Sequence, residues 1–199
     1  MQPAYYENFD EIIKKIWLML NDAVTNRSSQ FRIPVFICGI QNDFDGRIVV
    51  LRKSDQDNNL IQFHSDIRSD KIEKLKSNNR ASLIFYDKEE KIQVRAKVEC
   101  TVNHKNEITE QSWLKTAHIS RKCYLVDNGP GTESVEPTSG LKPEKDNFDY
   151  TMEESEKGYE NFTVIQCKVK SFEWLYLAAK GHRRARFDLE NNKSIWLVP

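Results

Sequence analysis

The sequence predicts a mainly β protein, an antiparallel barrel or sandwich with helices on its flanks. Three observations carry this. Ile92 to Val102 alternates without a break: Ile92, Val94, Ala96, Val98, Cys100 and Val102 are apolar, while Gln93, Arg95, Lys97, Glu99 and Thr101 are polar. That is the period of a strand with one buried face. Short β-branched runs separated by turn residues lie on both sides of it, roughly seven or eight strands in all. Helical periodicity is confined to a few segments between them.

In chain order, Asn8 to Val24 is a helix, because Phe9, Ile12, Ile13, Ile16, Trp17, Leu20 and Val24 share one face, with Asn8 as cap and Glu11 three residues on. Trp17, in the middle of that stripe, is a core residue. Ile33 to Ile40 is a strand with Pro34 near its start, where a missing N–H does least harm. Asn42 to Gly46 has turn chemistry, and Arg47 to Arg52 is a short apolar strand bracketed by arginines. The polar turn from Ser54 leads into Asn59 to Phe63, a half-buried strand, and a helix from about Asp70 to Ser77 precedes the strand Ala81 to Tyr86. Asn106 to Ile119 forms a second helix and Met152 to Tyr159 a short acidic one. The chain returns to strands at Phe162 to Val169, Phe172 to Leu177 and Ser194 to Val198.

At 199 residues one domain with one core is expected, spanning 1–199. Thirty basic and thirty acidic residues cancel, which speaks against nucleic acid or an anionic membrane as partner. The charge is unevenly spread. Between Asp127 and Glu160 ten acidic residues against three lysines leave −7, and prolines at 130, 137 and 143 with glycines at 129, 131 and 140 make 127–160 an irregular acidic connection. The densest basic run is Lys180, Arg183, Arg184 and Arg186. Four scattered cysteines without a C-x-x-C pair argue against a disulfide framework or a metal site, and no run reaches membrane-spanning length, so the expected setting is the cytoplasm.

Phe63 to Lys71 is the stretch around which a site can form. A strand breaks there into Ser65, Asp66 and Ser69, all good capping residues, and a helix follows. A helix start offers unpaired N–H groups and the positive end of its dipole, and Arg68, Ser69 and Lys71 add side-chain donors, so a phosphate fits. The same residues also suit an ordinary capped helix with solvated charges.

With these elements placed, the chain resembles the FMN-binding split barrel of the pyridoxamine 5'-phosphate oxidase-like family. The resemblance rests on Gly46 to Arg52, on Phe63-His64-Ser65-Asp66 with Ser69 and Lys71, on Ala81 to Tyr86 followed by Ile92 to Arg95, and on Glu173-Trp174 with Arg186-Phe187. It implies an antiparallel split β-barrel that binds FMN in a homodimer whose site is shared between subunits. Arg47 and Arg52 match basic residues at the two ends of the family's FMN strand. His64 and Ser65 stand where an aromatic and a hydroxyl residue lie against the flavin, and Ser69 and Lys71 match residues that reach its phosphate. Gln93 matches the glutamine near the ring, and Trp174 and Arg186 match a tryptophan and an arginine that complete the shared site.

The chain also departs from the family's pattern. Asp70 occupies a position that is often basic in the oxidases, the segment after Trp174 is about two residues longer, and His182, Arg183 and Arg184 do not align with the residues that hold the vitamin substrate. The resemblance is to a divergent branch, and it implies an FMN-dependent oxidoreductase with a small anionic substrate held by His182, Arg183 or Arg184. The alternative is a flavin carrier, sensor or general flavin reductase. Nucleic-acid binding through Lys180, Arg183, Arg184 and Arg186 is disfavoured by the short patch and neutral chain. His104, His118 and Cys123 read as ordinary structural residues.

Overall fold

The residue patterns form fourteen named elements in a computed structural model that describes residues 5–40, 42–141, 150–179 and 181–199. In chain order they are α1 (Phe9–Thr25), β1 (Val35–Ile40), β2 (Asp43–Ile48), β3 (Leu51–Asp55), β4 (Leu60–Asp66), α2 (Asp70–Ser77) and β5 (Arg80–Asp87). Then follow β6 (Ile92–Asn103), α3 (Glu107–Leu114), α4 (His118–Arg121), α5 (Met152–Ser155), β7 (Phe162–Tyr176), β8 (Arg183–Asp188) and β9 (Lys193–Leu197). Lys180 and residues 142–149 of the acidic connection lie outside the described residues.

Every strand pairing is antiparallel, in the order β2-β1-β5-β6-β7-β4-β3, with β8 on β7 and β9 on β8. The path begins with β2 and ends with β3, yet only Val49 and Val50 separate these two strands in the chain. So short a link forces the sheet to curl until its ends approach, which is how a barrel closes. The apolar run Arg47 to Arg52, expected as one strand, is therefore two half-strands. Arg47 pairs with Phe36, while Leu51 pairs with Phe63. Asn42 to Gly46, expected as a turn, mostly belongs to β2: Ile40 pairs with Asp43 and Ile37 with Gly46.

β7 is the member that holds the two parts together. Its first half pairs with β4 from Asp66↔Phe162 to Leu60↔Lys168, and its second half pairs with β8 from Ser171 to Tyr176. The two strands expected at 162–169 and 172–177 are one, because β6 runs alongside both halves. Opposite Lys97 and Val98 the partners are Ser171 and Val169, so Lys170 is the extra residue of a bulge. The bulge reverses the alternation. Ile165, Cys167 and Val169 are buried before it, and Phe172, Trp174 and Tyr176 after it.

Asn8 caps α1 by accepting a hydrogen bond from the Glu11 N–H, and Ile12, Ile16, Trp17, Leu20 and Ala23 are buried as its stripe requires. Trp17 meets Phe172 edge to face at 5.3 Å. No helix among the described residues is long and apolar enough to cross a membrane.

A smaller cluster of Trp113, Tyr124, Phe162 and Val164 lies beneath α3. The helix expected over Asn106 to Ile119 is broken there into α3 and α4, with Ala117 in an extended conformation between them. Buried Arg121 spans the break. Its guanidinium lies 4.4 Å from the Trp113 ring and donates to the Trp113 and Thr116 carbonyls, the Ser155 hydroxyl and Glu156.

Trp17→Ala empties the contact between α1 and the barrel. It is expected to lower unfolding stability by about 3–5 kcal/mol, read as a reduced midpoint in urea denaturation with an unchanged slope.

Candidate functional site

At the end of β4 the chain turns on Asp66. Its carboxylate accepts from the Arg68 backbone N–H at 2.8 Å and from the Arg68 guanidinium at 3.0 and 2.7 Å, and the same guanidinium donates to the carbonyls of Val126 and Asp127. Arg68, expected as a donor to an anion, is thus occupied in fastening the 126–127 segment to β4. This turn delivers Ser69 to the N-cap position of α2, but the Ser69 hydroxyl makes no capping hydrogen bond.

Instead, Lys71 Nζ donates to Ser69 Oγ at 2.7 Å and to Ser65 Oγ at 2.8 Å. All three residues are buried, Lys71 to 8% exposure. An ammonium has three N–H donors, and among the described residues the third meets no acceptor and the charge forms no ion pair within 4 Å. Burial, followed by the positive charge of Arg47, pulls the Lys71 ammonium down to about 8. Arg47 enters from β2, donates two hydrogen bonds to Asp70 at 2.7 and 3.0 Å, contacts Asp45, and keeps a buried Nε without a partner. Asp70, where a basic residue was noted as usual, is held below the ordinary carboxylate range by that pairing.

His64 and Ser65, both expected against a flavin, are adjacent on β4 and so point to opposite faces of the strand. His64 meets Phe162 edge to face at 4.8 Å and lines a cleft of about 510 Å³ with Arg52, Gln62, Ser112, Lys115 and Gln166. Burial, with a smaller effect from Arg52, pushes the imidazole down to about 3, so it is neutral at ordinary pH. The residues lining this cleft include no carboxylate.

Gln93 and Arg186 lie on the outer face of the sheet, in neighbouring rows. Gln93, Leu175 and Arg184 form one row and Arg95, Glu173 and Arg186 the next. Glu173 accepts from Arg184 at 2.8 and 2.5 Å and from Arg95, with Arg186 3.5 Å away. Trp174, the other C-terminal residue expected at the shared site, is fully buried on the inner face between Tyr6 and Tyr176. The Lys170 bulge sets that orientation. His182, Arg183 and Arg184, each expected as a holder of an anionic substrate, line one cleft of about 590 Å³ with Glu7, Trp196 and Leu197, but each already has a partner. His182 Nδ1 accepts from the Ala178 N–H, Arg183 pairs with Glu7 and lies 4.9 Å from the Tyr6 ring, and Arg184 is bound to Glu173.

Asp66 as a clamp, Glu173 as the centre of three arginines, and the buried Arg121 are not apparent from the residue patterns alone. Asp66 had a signal, since Asp two residues before Arg in a turn can accept its backbone N–H. Glu173 had none, because its partners come from three strands whose register is set elsewhere.

Residues 16–104 match the family model of the pyridoxamine 5'-phosphate oxidase FMN-binding domain. That span contains Arg47, Arg52, His64, Ser65, Ser69, Lys71 and Gln93, while Trp174 and Arg186 lie beyond it. No curated protein matches the sequence. Among solved structures, a pyridoxamine 5'-phosphate oxidase-related, FMN-binding protein from Nostoc punctiforme is similar over 100% of both chains, with a TM-score of 0.72 and 16% identity. PhzG from Burkholderia lata, in complex with tetrahydrophenazine-1-carboxylic acid, has a TM-score of 0.71 and 14% identity over 100% of this chain and 98% of that one. A protein related to general stress protein 26 from Clostridium acetobutylicum has a TM-score of 0.55 and 12% identity over 90% of this chain and 99% of that one. At such identities the likeness shows the fold, an antiparallel split barrel, which is the fold the resemblance implied. The match to residues 16–104 bears out the resemblance itself.

The depressed His64 gives a direct check. Its ring proton signals in NMR are expected to hold constant from pH 5 to 8, and a midpoint between 6 and 7 would contradict the buried, neutral imidazole. The unfolded chain takes up this proton near the usual value of about 6.5, so the His64 contribution to stability is lost as pH falls from there towards 3.

Proposed function

We propose that this chain, whose residues 16–104 match an FMN-binding domain, binds FMN with its phosphate against Lys71, Ser65, Ser69 and Arg47, and acts as an FMN-dependent oxidoreductase on a small anionic substrate. One observation carries the reading: a buried ammonium has two neutral hydroxyls as its hydrogen-bond partners and an N–H to spare. Burying a cation without a counter-ion is costly, and a dianion in contact with it removes that cost. The unpartnered Arg47 Nε and the N-terminus of α2 are further donors of the right kind. When bound, FMN supplies hydride acceptance and reoxidation by a second acceptor. The chain's own part is to hold the phosphate, exclude water at Lys71 and orient the ring.

The cleft at Arg52, His64 and Lys115 suits an anionic substrate, since cations and amides line it without a carboxylate. A second copy of the chain is the proposed partner. Phe44 and Ile48 on β2 are 71% and 63% exposed, and with Val35 and Tyr86 they give the outer sheet face an apolar patch that continues to Gln93 and Arg186. Four free cysteines agree with a reducing setting such as the cytoplasm.

A second reading, a flavin carrier or general flavin reductase, is favoured by the engagement of Arg183 with Glu7 and of Arg184 with Glu173 and by the burial of Trp174. Steady turnover of pyridoxamine 5'-phosphate would exclude it.

Purified protein incubated with FMN and desalted is expected to keep a flavin absorption band, and colourless protein would refute the proposal. The pH dependence has a definite sign. Lys71 in the free protein loses its proton near 8, and a bound dianion raises that value, so FMN affinity measured by fluorescence quenching is expected to be high below pH 8 and to fall as pH rises through it.

A further inference from the structure

One pair of reactive groups outside the phosphate cluster is placed for chemistry that the proposed function does not use. Cys100 on β6 and Cys167 on β7 stand directly opposite each other in the antiparallel register, with their sulfurs 3.5 Å apart. Both are free thiols and both are buried. We propose that they form a reversible redox site, in which hydrogen peroxide converts the two thiols into a disulfide across the β6–β7 ladder.

The geometry permits the bond. Directly opposed residues in an antiparallel ladder have Cα atoms about 4.5–5.5 Å apart, inside the window of about 4.4–6.8 Å that a disulfide spans. The sulfurs have only to close by about 1.5 Å to reach a bond length near 2.05 Å. In the first step one sulfur, as thiolate, attacks peroxide. The O–O bond breaks, a sulfenic acid forms, and the departing hydroxide takes a proton to become water. In the second step the other sulfur displaces the sulfenic hydroxyl as a second water and the S–S bond closes. The two thiols have then lost two electrons and two protons, and one peroxide has become two waters.

Access lies on the Cys100 side. β5 ends its pairing with β6 at Arg80↔Glu99, so Cys100 is the first β6 residue past that ladder, and its N–H is taken by the Asn79 carbonyl at 2.8 Å. Opening this corner exposes the sulfur while β7 stays paired with β4. Burial raises the Cys167 thiol well above its ordinary value, so the closed pair reacts slowly and the rate follows the opening. Once formed, the bond joins the two longest strands of the barrel and fixes their register beside the Lys170 bulge.

The test uses the full chain without added FMN, so its outcome is independent of flavin binding. Protein treated with hydrogen peroxide is denatured, alkylated with iodoacetamide and mapped as peptides without reduction. The expected product is a linked peptide pair joining Cys100 and Cys167, lighter by two hydrogens, with Cys38 and Cys123 alkylated and dithiothreitol restoring all four thiols. Alkylation of both Cys100 and Cys167, sulfinic or sulfonic acid on either, or linkage to a different cysteine would overturn the proposal. Cys100→Ala, if folded, is expected to leave Cys167 fully alkylated, and wild-type mapping decides the matter if that variant does not fold.

Discussion

A buried ammonium that, among the described residues, has hydroxyls and no carboxylate as its hydrogen-bond partners is the constraint on which the site depends. Lys71 has hydroxyls for neighbours, and each was brought to it by a separate feature of the fold. Ser65 is the last inward residue of β4, Ser69 is placed by the Asp66 turn, and Arg47 reaches the same corner because β2 and α2 both lie against β1. Asp70 and Asp45 engage Arg47, so Asp70 acts on Lys71 only at a distance and burial dominates. An arrangement of that kind is poor for stability and good for holding an anion.

The strand period distributes the remaining polar residues. Along β4 it separates Ser65 from His64, so the Lys71 cluster and the Arg52 cleft lie on opposite sides of one strand. Along β7 the Lys170 bulge turns Trp174 inward and Glu173 outward, where Glu173 gathers Arg95, Arg184 and Arg186. Three guanidiniums around one carboxylate leave the outer face positive, beside the apolar patch of β1 and β2.

Features governed by local periodicity were legible in the sequence. The α1 stripe with its Asn8 cap, the strict alternation of β6 and the span of α2 all follow from neighbours a few residues apart. The meeting of Ser65, Ser69 and Lys71 was legible for the same reason, since a strand end and a helix start within seven residues leave little freedom. What failed depended on distant register. The bulge at Lys170 exists only relative to β6, and the pairing of Glu173 rather than Trp174 with Arg186 exists only in the β7–β8 register. The division of Arg47 to Arg52 between two strands follows from barrel closure, which no short window of sequence contains. β8 was hidden because arginines at 183, 184 and 186 mask its alternation.

The proposed role of the buried Lys71 is to meet a phosphate. Calorimetric titration of the wild-type protein with FMN and with riboflavin, which lacks the phosphate, tests it most directly, with Lys71→Met alongside. FMN is expected to bind at least about tenfold more tightly than riboflavin to the wild type, and Lys71→Met to remove most of this preference while riboflavin affinity stays the same. Equal affinities for the two flavins, or a preference that survives Lys71→Met, would contradict it.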